Sequence, residues 1–202
     1  RIIDKRIEQF RSLRDARSAG GQIHLSVKPV AKAPITTTEI HRQPGGYLRE
    51  TREDDLDVAL NYTGTVEMYR AAKGMSAGAG SKSGYDMLGR FVAEVAQRKA
   101  PDLKVEAVLD MGCGTGEQTH AYKRVFPEAK VHGLDCSRSF IRFAHGAAEE
   151  AGLAIDFHEL DAADTGFADN SFDFITSIIM FHETSASQLP KILKECHRIL
   201  KP

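Results

Sequence analysis

The residues with the types and spacing to do chemistry lie between positions 110 and 135. Asp110 closes an apolar run, and Gly112, Gly114 and Gly116 follow at alternate positions. Glycine has no Cβ and accepts positive φ, so such a turn brings backbone close to a ligand. A helical pattern begins at Glu117, and a strand, a glycine turn and a helix N-terminus together suit a polar or anionic group. Asp135 is the first acid after the second strand, where a carboxylate takes the two hydroxyls of a ribose. These residues therefore point to a ligand that contains a nucleoside.

The spacing narrows the nucleoside. A dinucleotide turn reads G-x-G-x-x-G, whereas this one reads G-x-G-x-G and puts Glu117 in the place of the third glycine. A carboxylate there disfavours a pyrophosphate. Asp110 suits a ligand with an ammonium group. S-adenosylmethionine has an amino group, a carboxylate and a sulfonium, and no phosphate.

Strands and helices must hold these residues in place. The patterns predict strands over Val105–Leu109, Lys130–Leu134, Ala154–Phe157 and Phe172–Met180. They predict helices over Glu117–Phe126, Ser137–Ala151 and Ser187–Leu200. Strands that alternate with helices make βαβ units and a parallel sheet, whose ligands sit beyond the carboxyl ends of the strands. Upstream, Arg1–Arg17 reads as an amphipathic helix, and Asp54–Lys73 and Ser83–Ala100 as further helices. His24–Val27 is a candidate strand, Pro34–Thr38 is β-prone, and Gly74–Gly84 reads as a flexible loop. The expected architecture is α/β: a Rossmann-like, doubly wound parallel sheet over residues 101–202. A mainly helical extension over residues 1–100 would serve as a substrate cap or packing segment. Phe174–Met180 is apolar on both faces, as an interior strand is, yet one helix later the chain stops. The first residue is arginine, not methionine. The sequence thus reads as truncated, the sheet at its C-terminal side.

Four blocks of residues resemble the class I S-adenosylmethionine-dependent methyltransferases, closest to the ubiquinone/menaquinone-pathway and sterol-type small-molecule group. They are Leu109–Gly116, Gly133–Ser137 with Asp161-Ala162, Phe167–Asp173, and Glu195–Pro202. The resemblance runs from about Ala107 to Pro202. It implies a seven-stranded sheet, of which four strands are legible here. It also implies roles: Gly112, Gly114 and Gly116 against the methionine moiety, Asp110 on its amino group, and Asp135 on the ribose. Cys136 would lie beside the adenine, Asp161 would accept from its amino group, Ala162 would touch the ring, and Ile178 would border the cofactor. His182, beyond the fourth strand and next to Glu183, is the candidate base or acceptor contact. Plainer readings stand beside these. Asp161 caps a turn, Asp173 is a strand-entry carboxylate, and His182 is a rim histidine. Tyr62, Tyr69 and Tyr85 are candidate wall residues or helix packing.

Composition bounds the rest. The chain has 27 basic and 28 acidic residues, so charge gives no case for nucleic acid as the main partner. Its apolar content of 42% supports a packed core. No apolar run reaches the ~20 residues of a membrane-spanning helix, and no signal peptide is legible. The three cysteines have no C-x-x-C spacing and read as reduced thiols in a cytoplasmic protein. No cluster has the spacing of a metal site. The expected protein is a methyltransferase that uses S-adenosylmethionine on a small molecule, with a homodimer through the N-terminal helix as a candidate assembly. A non-catalytic S-adenosylmethionine-binding regulatory subunit is the alternative, and a nicotinamide-dependent oxidoreductase fits the glycine spacing poorly.

Overall fold

Apolar residues over Ala107–Met111 form β2, an interior strand of the sheet. In the computed structural model, described at residues 18–28, 30, 46–52, 54–72 and 85–202 and at the isolated positions 5 and 8, this strand lies between two parallel partners. The order of elements is β1 (Ile23–His24), α1 (Asp57–Ala72), α2 (Tyr85–Lys99), β2, α3 (Glu117–Val125), β3 (Lys130–Asp135) and α4 (Arg138–Ala151). Then come β4 (Asp156–Glu159), β5 (Phe174–Thr176), a 3₁₀ turn (Met180–Glu183) and α5 (Leu189–Ile199). The sheet runs β1-β4-β3-β2-β5, all parallel. The chain winds outward from β2 through β3 to β4 and then returns to β5 on the other side. The order therefore reverses between β2 and β5, the point at which open α/β sheets bind ligands.

Alternation along β2 and β3 divides the core in two. Val108 and Val131 face a cluster with Tyr122, Ile141, Ala144 and Phe157, beneath α3 and α4. Leu109, Met111 and Leu134 face Ile192 and Ile199 of α5. Helices thus cover both faces, as the doubly wound reading requires. Helix α4 has Ser137 as its N-cap and Gly152, at φ 68°, as its C-cap, both signals of helix ends. The two upstream helices dock on this layer. Leu56, Val58 and Ala59 of the α1 region pack on Phe140 and Phe143 of α4. On α2 the contact is made by small residues: a Cβ built on Gly89 would stand 2.8 Å from Ala121 of α3. The large residues Met87, Phe91 and Val95 stay exposed.

The structure corrects several expected bounds. The strand expected over Phe172–Met180 has only three residues, because the chain leaves the ladder after Thr176 and Ile179 adopts φ 71°. Among the described residues this strand is the sheet's edge, not an interior strand. Expected strands at Val105–Leu109 and Ala154–Phe157 each lie two residues further on. Among the described residues the sheet has five strands where four were legible, since Ile23–His24 pairs with β4. That strand comes from before residue 101, so the upstream segment is stitched into the same sheet. The expected helix Arg1–Arg17 is described only at Lys5 and Glu8, both helical, and the β-prone Pro34–Thr38 and the loop Gly74–Gly84 lie outside the described residues.

Candidate functional site

The turn after β2 is built by its glycines. Gly112, Gly114 and Gly116 have φ of 71°, 54° and 85°. At Gly112 an added Cβ would stand 2.6 Å from the Met180 side chain, and at Gly116 it would stand 2.9 Å from Ala144 Cβ of α4. Both glycines are required by close approach as well as by φ. Gly114 differs, because an added Cβ would meet nothing within 4 Å. Its backbone N–H instead donates to Asp135 Oδ2 at 3.1 Å, across the gap between β2 and β3.

Asp135 ends β3 and is held by several donors. Ser137 N donates to its Oδ1 at 2.8 Å, and the Cys136 backbone N–H and thiol also donate to the carboxylate. Desolvation outweighs these bonds and pushes its pKa up to about 6. The Cys136 thiol is pushed up by burial and by the neighbouring Asp135 charge, so it remains a neutral donor. Asp161, in the turn after β4, accepts from Ala163 N at 2.9 Å and lies close enough to act electrostatically on Cys136. The fold thus brings Asp135, Cys136 and Asp161 together. Ala162, beside them, packs on the α5-side core.

Asp110 lies beneath the turn and is 2% exposed. Thr119 of α3 donates to Oδ2 at 2.7 Å, and Thr176 of β5 donates to Oδ1 at 3.2 Å. Burial pushes this carboxyl up to about 6, and the two hydroxyls oppose that rise. Both oxygens are engaged by protein, so Asp110 ties β5 and α3 to β2. Neither threonine stood out in the sequence, because a hydroxyl three residues into a helix or at the end of a strand looks like any other such position.

The third wall follows β5. Ile178 packs against the core under α3 and α4, beyond the end of the strand. Ile179 is half exposed in the left-handed region, a strained place for a β-branched residue that costs about 1–3 kcal/mol. That reversal directs Met180 onto Gly112. His182 and Glu183 then project from the 3₁₀ turn, with His182 Nε2 3.0 Å from Glu183 Oε1. Asp173, by contrast, accepts from Ala107 N at 2.8 Å and pairs with Lys201 at 2.7 Å, a strand-entry carboxylate remote from this wall.

Tyr47 is a residue that sequence reasoning missed. Ser137 Oγ donates to its carbonyl at 2.5 Å, and its phenol is hydrogen-bonded to Glu183. Burial first, then the Glu183 charge, raises this phenol above its ordinary range. Tyr62 was a candidate wall residue, and it packs edge-on against Tyr47, 5.7 Å between ring centres. The side chains of Tyr69 and Tyr85 lie outside the described residues. Among the described residues no group of three or more His, Cys, Asp or Glu could hold a metal ion.

The sequence and the fold both have counterparts among known proteins. Residues 108–202 match a family described as a methyltransferase domain. A demethylmenaquinone methyltransferase from Thermus thermophilus is 34% identical over 126 residues, which are 58% of this chain and 56% of that protein. The ubiquinone/menaquinone biosynthesis C-methyltransferase UbiE of Desulfotalea psychrophila is 35% identical over 104 residues, 52% of this chain and 41% of its own. The chain spans about half the length of the curated relatives it matches. A solved structure from Methanococcus maripaludis, a proposed S-adenosyl-L-methionine-dependent methyltransferase, superposes with a TM-score of 0.54. At 18% identity it covers 76% of this chain and 62% of its own, and it supports the fold alone.

Proposed function

Because residues 108–202 belong to the class I S-adenosylmethionine-dependent methyltransferase family, we propose that the chain transfers a methyl group from S-adenosylmethionine to a small-molecule acceptor. The observation that carries this reading is Gly114. It is the one glycine of the turn with open space where a side chain would be, it sits at the reversal of strand order, and it faces Asp135. The residues present fit the cofactor. Asp135 supplies an oriented acceptor for ribose hydroxyls, and Glu117 opens α3 where a pyrophosphate would meet a carboxylate. Bound S-adenosylmethionine supplies a methyl group already activated by a sulfonium.

In this reading the chain's residues bind, orient and exclude water. Gly112, Gly114 and Gly116 let backbone pack against the methionine moiety. The Asp110 charge beneath them favours an ammonium above. Cys136, Asp161 and Ala162 form the adenine end, and Ile178 borders the cofactor. His182 contacts the acceptor and takes its proton where the acceptor is a hydroxyl or an acidic carbon. In-line alignment supplies most of the acceleration, since proximity alone is worth about 7–11 kcal/mol. Residues 101–202 act as the cofactor core and residues 1–100 as a cap over the acceptor. The names of the two curated relatives support a small acceptor of quinone type, and the balanced charge supports a small molecule over nucleic acid. A cytoplasmic setting and pairing of two copies through Arg1–Arg17 belong to the same reading. Among the described residues no helix is long and apolar enough to cross a membrane.

Calorimetry with S-adenosylhomocysteine and, separately, with NAD(H) tests the cofactor. Binding of the first and not the second is expected, and no binding of S-adenosylhomocysteine sinks the reading. Formation of S-adenosylhomocysteine from the methyl donor with a panel of demethylated quinols then tests turnover.

A further inference from the structure

We propose that Tyr47 is a positioning residue of the transfer site, whose phenol holds the Glu183 carboxylate against His182 from outside the sheet. The inference deepens the functional reading above and rests on its assignment of His182 to the acceptor side. Three observations lead to it. His182 Nε2 and Glu183 Oε1 are 3.0 Å apart, so the carboxylate fixes which ring nitrogen carries a proton and how the ring is turned. The Tyr47 phenol is hydrogen-bonded to that same carboxylate. The Tyr47 backbone is pinned by Ser137 Oγ at 2.5 Å, two residues after Asp135 and at the N-terminus of α4. One residue therefore touches both the cofactor side and the acceptor side.

Packing alone does not explain the hydroxyl. The Tyr47 ring lies 5.3 Å from Phe140 and 5.7 Å from Tyr62, contacts that phenylalanine would make equally well. The phenol oxygen is instead in the field of two carboxylates, Glu183 and Asp135, and of the Tyr62 hydroxyl. An oxygen with lone pairs is tolerated there because its O–H donates to one of the acids. Glu183 is largely covered, with a side chain 19% exposed, whereas His182 is 51% exposed and open to an acceptor. The covered carboxylate needs a fixed donor to stay in place, and Tyr47 supplies it. The chain Tyr47–Glu183–His182 has the order of an orienting group, an acid and a base.

The test uses the full 202-residue chain, with the two imidazole ¹⁵N shifts of His182 read at one fixed alkaline pH and assigned through the signals lost in His182→Gln. In the original chain they are expected to report one dominant tautomer, with the proton on the Nε2 that faces Glu183. Glu183→Gln and Tyr47→Phe are both expected to move the two nitrogens toward the averaged shifts of a tautomer mixture, the first by more, as the carboxylate is removed or leaves the ring. Shifts unchanged in Tyr47→Phe or in Glu183→Gln overturn the proposal. A second measurement does not depend on the folding of Tyr47→Phe: with ¹³Cζ-labelled tyrosine, one of the five tyrosine signals must move in Glu183→Gln, and a spectrum in which none moves overturns the proposal. Failure of the original chain to bind S-adenosylhomocysteine sinks the functional reading instead, and the ring shifts still report on Tyr47.

Discussion

An alanine at Gly114 meets no atom within 4 Å, whereas at Gly112 and Gly116 it meets Met180 and Ala144 below 3 Å. Gly114→Ala is therefore expected to cost only the left-handed backbone, about 1–2 kcal/mol, while its methyl group fills the space proposed for the ligand. Calorimetry should give at least about tenfold weaker S-adenosylhomocysteine binding, with a melting temperature lowered by only about 2–8 °C. Gly116→Ala should do the reverse and lower the melting temperature first. Asp135 sets a pH dependence on the same site. Burial pushes its carboxyl up to about 6 in the fold, and in the proposed function the ionised form accepts from ribose hydroxyls. Affinity should be full above pH 7 and fall as pH drops through 6, to about tenfold weaker at pH 5. Flat affinity between pH 5 and 7.5 would remove Asp135 from the site. At this scale the glycines and Asp135 were legible, because few residue types satisfy a left-handed turn or a strand-end acceptor. Thr119, Thr176 and Tyr47 were not, because their partners are 9, 66 and 136 positions away.

Arg138, in the first turn of α4, reaches across to the end of β4. Its Nε donates to Glu159 Oε2 at 2.8 Å, and its Nη2 donates to Ser26 O at 2.7 Å. Ser26 N returns a bond to Glu159 at 3.1 Å. Glu159 is 2% exposed, so removal of its cation leaves a buried charge without its main partner. Arg138→Ala is expected to lower stability by about 3 kcal/mol in urea unfolding, and Glu159→Gln added to it should recover part of that loss. Full stability in Arg138→Ala would mean that solvent replaces the guanidinium. The helices were largely legible from their caps and stripes, within two residues for α3, α4 and α5. Strand bounds were not. An apolar run such as Phe174–Met180 has the same composition whether it continues in the ladder or turns away. The turn at Ile179 brings Met180 onto Gly112, a meeting that no local pattern reports. On α2 the larger apolar residues suggested the packing face, yet Gly89 and Ala93 make it, because small residues let α2 approach α3 closely.

Three histidines join the strands β1, β4 and β3 on one side of the sheet. His24 of β1 stacks on His158 of β4 with ring centres 4.4 Å apart, and His158 Nε2 lies 3.0 Å from His132 Nδ1 of β3. Asp156 faces His132 at 3.9 Å, and Phe167 packs edge-on to His132 and His158. Burial first, then the neighbouring His24 and His132, lowers His158 to about 4. A histidine lowered in the fold contributes stability that is full above its ordinary pKa of 6.5 and lost as pH falls toward 4. Acidification over that window should release β1 before the core unfolds, seen as loss of Ile23 and His24 shift dispersion while Val108 and Val131 keep theirs. His158→Gln should remove that step, and simultaneous loss of all four signals would count against a separate release. The sequence by itself determined the parallel α/β core, the glycine turn, its acidic partners and the resemblance to methyltransferases. These depend on local rules: period, turn chemistry, and backbone freedom at a few glycines. Only the tertiary structure decided that residues 23–24 join the sheet beside β4, that Asp110 is sealed by two threonines, and that Tyr47 reaches Glu183. Those are meetings between distant segments, fixed by which apolar faces bury together and not by any pattern along one of them.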